Sequence, residues 1–72
     1  MRVDSNTNSP FYWKKVMDHD PKIMLDGVEI DNVTVADDKE GYVEVVRMNG
    51  AYPVHMAGQF ITDRKYGKVE II

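Results

Sequence analysis

The rhythm of apolar and polar positions changes once along this chain. Residues 1–9, MRVDSNTNS, carry no hydrophobic period and read as a flexible arm. Residues 10–17, PFYWKKVM, suit one or two helical turns, with Ser9 as N-cap and Pro10 at the first helical position, where its missing N–H costs nothing. Asp20-Pro21 ends that helix, because a residue before proline is driven toward extended geometry. From Lys22 onward the period is two. Asp26-Gly27 predicts a two-residue type I′ turn that sets Leu25 opposite Val28 and Ile23 opposite Ile30, all apolar and on one face. Val33 and Val35 continue the alternation, and Asp37 to Gly41 form a polar loop. Tyr42 to Met48 is the most strand-like stretch. Asn49-Gly50 predicts a second hairpin turn, pairing Val45 with Val54, Val43 with Met56 and Glu44 with His55. Ala57-Gly58-Gln59 reads as a bend, and Phe60–Lys65 and Val69–Ile72 as extended. Tyr66-Gly67 between them reads as a glycine bulge, because a tight turn there opposes Lys65 to Lys68.

Five to six short strands with turn signals between them define the expected fold class. It is all-β: a small antiparallel barrel or sandwich, with residues 10–72 as a single β domain behind the arm. The expected core is Ile23, Leu25, Val28, Ile30, Val33, Val35, Val43, Val45, Val54, Phe60, Val69 and Ile71.

Composition narrows the function classes. A chain of 72 residues holds one small domain, whose core supplies only about 3–5 kcal/mol net. It has no cysteine, which excludes disulfides and thiolate zinc sites. No apolar run exceeds three residues, whereas a membrane-spanning helix needs about 20, so no membrane association is expected. No secretory h-region is visible, and a cytoplasmic setting is the default. Charge is segregated: residues 18–44 hold nine acids against Lys22 and Lys39, while both flanks are mildly basic and the net charge is −3. The turns bearing Asp26, Asp31, Asp37, Asp38 and Glu40 therefore present an acidic surface suited to a basic partner.

The stretch LDGVEIDNVTVADDKEGYVEV, with DRKYGKVEI near the end, resembles small accessory or virion-associated proteins encoded by tailed bacteriophages. The resemblance covers residues 23–72. It rests on Leu25-Asp26-Gly27-Val28, on Ala36-Asp37 with Gly41-Tyr42-Val43, and on Arg64-Lys65-Tyr66-Gly67-Lys68-Val69. It implies an accessory or virion role, in the host cytoplasm or the virion, and brings no catalytic residues.

Catalytic chemistry finds no constellation. Ser5 and Ser9, the only serines, lie in the expected arm, and a triad needs rigidly held partners. Asp18-His19-Asp20 has ligand-type groups, but adjacent side chains seldom converge on one ion, so neither a metal nor a cofactor is expected. Two binding surfaces remain. The first is for a protein partner, viral or host, or a second copy of the chain. It comprises the consecutive aromatics Phe11, Tyr12 and Trp13 together with Asp37, Asp38 and Glu40. The alternative is a nucleic-acid surface in which Phe60 and Tyr66 stack bases beside Arg64, Lys65 and Lys68. The reading is thus a non-enzymatic protein-interaction module, with a nucleic-acid-binding β-barrel as the alternative.

Overall fold

The computed structural model describes residues 1–72. In chain order its elements are β1 (Arg2–Asp4), α1 (Trp13–Val16), β2 (Ile23–Leu25), β3 (Val28–Glu29), β4 (Val33–Asp37), β5 (Tyr42–Val46), β6 (Met48–Asn49), β7 (Tyr52–Pro53), β8 (His55–Met56), β9 (Gln59–Phe60), β10 (Thr62–Tyr66) and β11 (Val69–Ile71). The chain is all-β, with every strand pair antiparallel. A four-stranded sheet, β1-β4-β5-β10, packs on a three-stranded sheet, β11-β2-β3, and two small hairpins, β6-β7 and β8-β9, stand apart. Both main sheets keep open edges, so the molecule is a small sandwich and no barrel closes.

Strand alternation explains the core. Val3, Ala36, Val43 and Val45 share the inner face of the larger sheet and meet Ile23 and Val69 of the smaller one. Trp13, Met17, Leu25, Ile30, Val33 and Ile71 pack around these six. Val43 is fully buried. The expected core holds at Ile23, Val43, Val45 and Val69, but Val28 is 61% and Phe60 56% exposed. Val28 sits beside a turn on a two-residue edge strand, where nothing covers it.

The first turn forms as expected: Asp26 and Gly27 both have positive φ, and Leu25 pairs with Val28. The N-terminal segment departs from expectation. It is no free arm, since β1 pairs with β4 along Arg2/Asp37, Val3/Ala36 and Asp4/Val35, and Val3 is 3% exposed. A three-residue strand is too short to show a period, so one buried valine carries the signal. The helix is shorter than expected and begins at Trp13. Ser9 caps no helix. Its hydroxyl accepts the Phe11 N–H at 3.0 Å and donates to the Asp4 carboxylate at 2.6 Å.

The second turn shifts by one residue. Asn49 pairs with Tyr52, so Gly50-Ala51 is the two-residue loop, and only Gly50 has positive φ, as a type II′ turn requires. Val45 therefore never meets Val54, nor Glu44 His55; β5 pairs with β10 instead, Val45 opposite Asp63 and Glu44 opposite Arg64. Ala57-Gly58, read as a bend, is a hairpin turn with both φ positive. Tyr66-Gly67 is not a bulge within one strand: β10 ends there and the chain crosses to the other sheet as β11. The crossing is tight. A Cβ on Gly67 would lie 2.6–2.9 Å from the Asp26 carboxylate, which accepts the Lys68 N–H at 2.9 Å.

Candidate functional site

Between β5 and β10 the chain makes an excursion, residues 47–61, built from two consecutive hairpins. Its base is a ring of backbone hydrogen bonds. Arg47 N–H donates to Ile61 C=O at 2.8 Å, Val54 N–H to Arg47 C=O at 2.8 Å, and Ile61 N–H to Val54 C=O at 3.0 Å. The ring lets both hairpins leave the sheet without orphaning those groups. A fork from Arg47 to Asp63 tightens the base, with Nη2 at 2.6 Å and Nε at 3.1 Å. That bidentate contact holds the Asp63 carboxyl below the usual carboxylate range and raises Arg47.

The excursion buries little of its own apolar surface. Met48, Tyr52, Met56 and Phe60 are 38%, 77%, 68% and 56% exposed. Met48, Pro53 and Phe60 turn toward Val33 and Val46 and, with Asn32 and Thr34, line an open hollow of about 330 Å³. Tyr52 and Met56 pair with Asn49 and Gln59, so alternation sends them to the other faces of their hairpins. His55 stacks on Phe60 at 4.4 Å between ring centroids. Arg47 and His55 are the excursion's only basic side chains, it has no acidic residue, and Arg47 is committed to Asp63. Sequence reasoning missed this surface because it placed Val54, Met56 and Phe60 against the sheet. The available signal was the stretch MNGAYPVHMAGQF, rich in methionine and aromatics and free of acids.

The expected aromatic anchor turns mostly homeward. Trp13 is half-buried against the core, and Tyr12 bridges to Asp4 and meets the Trp13 ring at 5.8 Å. Phe11 is 41% exposed under the Arg2 guanidinium, and its carbonyl accepts the Asp4 N–H. The acidic group divides as well. Asp37 is 8% exposed and accepts the Lys39 and Glu40 N–H groups at 3.0 and 2.9 Å, so it shapes the loop. Asp38 holds the N-terminal ammonium at 2.6 Å, and Glu40 is exposed.

The expected nucleic-acid group does not assemble. Arg64 and Tyr66 share the outer face of β10 with Tyr42 and Glu44 opposite them. Glu44 accepts Nη2 of Arg64 at 3.0 Å, and the guanidinium lies 4.2 Å from the Tyr42 ring. Lys65 falls on the other face of the strand, Lys68 beyond the crossing, and Phe60 on the excursion.

A cleft of about 330 Å³ between the sheets is lined by Trp13, Ile23, Ile30 and Val33 and by Asp4, Asp20, Glu29 and Asp31. Ser5 reaches it, but neither histidine does. His19 pairs locally with Asp18 at 2.9 Å, which raises the histidine and lowers the aspartate. No three histidine or carboxylate groups converge as metal ligands. No helix is long and apolar enough to cross a membrane. No protein-family model, curated protein or solved structure matches this chain.

Proposed function

We propose that this protein is a non-enzymatic protein-interaction module that docks its partner through the two-hairpin excursion. One observation carries the reading: Met48, Tyr52, Met56 and Phe60 stay exposed on a segment that contributes nothing to the buried core. A chain this small has few apolar side chains to spare, and several large ones left outside together on one segment mark an interaction site. Methionine and aromatic side chains also suit a docking face, the first by adapting its shape and the second by burying large area at low entropic cost. The likeness to phage accessory proteins supports a phage-encoded origin, with the partner in the virion or the host. The tie of Arg64 to Glu44 and the dispersal of Phe60, Lys65 and Lys68 disfavour the nucleic-acid reading.

The test compares the double variant Met56→Ser/Phe60→Ser with the core variant Val43→Ala. The first is expected to unfold within about 0.5 kcal/mol of the parent, as exposed substitutions do. It should also lose the nuclease-insensitive retention of a host or virion protein. Val43→Ala is expected to lower stability and to keep binding while folded. Equal destabilisation by both would show that the excursion serves the fold. Retention that depends on nucleic acid would restore the alternative.

A further inference from the structure

The larger sheet ends in two edges that the chain treats differently. The β1 edge is covered: Asp4 N–H donates to Phe11 C=O, and Tyr12 bridges to Asp4. The β10 edge has no strand beyond it. Register shows which backbone groups lie bare. Arg47 N–H bonds Ile61 C=O and Gly67 N–H bonds Gly41 C=O, so the odd-numbered residues of this strand face β5. The N–H and C=O groups of Thr62, Arg64 and Tyr66 therefore point outward along a five-residue strand, long enough to template another.

We propose that the β10 edge accepts an extended segment of another protein, one that alternates acidic and apolar residues and adds as a further antiparallel strand. This lies beyond the docking role of the excursion and uses a different surface. Charge selects the occupant. Asp63 is neutralised by Arg47 and Arg64 by Glu44, while the exposed Lys65 makes no ion pair, which leaves the edge with one net positive charge. An acidic residue opposite Lys65 shares its face, and the apolar residues beside it fall on the face of Tyr66, which is 69% exposed. A two-fold antiparallel pairing centred on Lys65 opposes that unpaired lysine to its own copy, and like charges directly opposed are unfavourable.

The experiment titrates the full-length protein with a short peptide alternating valine and glutamate, and with its lysine counterpart, while amide exchange is followed residue by residue. In the free protein the Thr62, Arg64 and Tyr66 amides should exchange fast and those of Asp63 and Lys65 slowly. The glutamate peptide should protect Thr62, Arg64 and Tyr66 saturably and bind roughly fivefold more tightly than the lysine peptide. Lys65→Glu should remove that preference. Thr62→Pro deletes one outward donor without touching the ladder to β5 or any ion pair, so it should weaken binding of the same peptide. Equal binding of both peptides overturns the proposal. So does absence of protection at the three outward amides, or a sedimentation coefficient that rises with protein concentration because the edge pairs with itself.

Discussion

Removing residues 1–5 should unfold the protein, although these residues read as expendable. The deletion takes away Val3, whose burial contributes about 1.5–3 kcal/mol. It also removes the β1 ladder, the Ser5 N–H to Thr34 bond and the Asp38 N–H to Met1 bond. Asp4 goes as well, and with it the acceptor for the Ser9 hydroxyl and the donor to Phe11 that hold the aromatic segment against the sheet. A domain of this size has only about 3–5 kcal/mol in total. A finer probe is Val3→Ala. Two buried methylene equivalents at ~0.8 kcal/mol each, plus the cavity left behind, amount to about 2 kcal/mol. At ~4–8 °C per kcal/mol, the midpoint should fall by roughly 8–16 °C. Arg2→Ala, on the exposed neighbour, should leave it nearly unchanged. Urea and thermal unfolding followed by the fluorescence of Trp13, the single tryptophan and packed against the core, reads all three variants. A Val3→Ala midpoint equal to the parent's, or a deletion that still unfolds cooperatively at the parental midpoint, would refute the reasoning.

Three further outcomes follow from particular contacts. Gly67→Ala should cost about 1 kcal/mol by displacing the Asp26 carboxylate from the Lys68 N–H, and a double-mutant cycle with Asp26→Ala should be strongly non-additive in chemical denaturation. Asp37→Ala should cost about 1–2 kcal/mol, because two backbone donors lose their acceptor, whereas Asp38→Ala should cost far less. The Asp63 carboxyl is depressed by Arg47, so its contribution is complete above the ordinary carboxylate value of 3.8 and is lost as pH falls through the lower folded value. Acid titration of stability should accordingly flatten in Arg47→Met.

What the sequence reveals depends on how far apart the interacting residues lie. The Asp26-Gly27 turn is legible because its register is decided by Leu25 and Val28, one residue either side. Asn49-Gly50 misleads, since Asn-Gly suits a type I′ turn and Gly-Ala a type II′ turn of the same length. The choice is made by the ring of Arg47, Val54 and Ile61, whose members are spread along the excursion. The chain leaves the sheet at Arg47 and returns as β10, so Lys65 and Asp63 take the places of the expected partners of Val43 and Val45, and Met56 and Phe60 stay outside. Asp37 illustrates the same limit for charge. Its acidity is plain in the sequence, but its burial follows from the tight loop to Gly41. The resulting acidic surface is smaller than the nine acids of residues 18–44 suggest.

Site-specific photocrosslinking tests the docking role of the excursion most directly. A photoreactive phenylalanine analogue is placed at Phe60 and, separately, at Val28, two positions of matched exposure at 56% and 61%. Irradiation is carried out in a lysate of cells carrying the gene. The account predicts one discrete protein adduct from position 60, resistant to nuclease, and none from position 28. The same adducts from both positions, or an adduct at position 60 that nuclease removes, would contradict it.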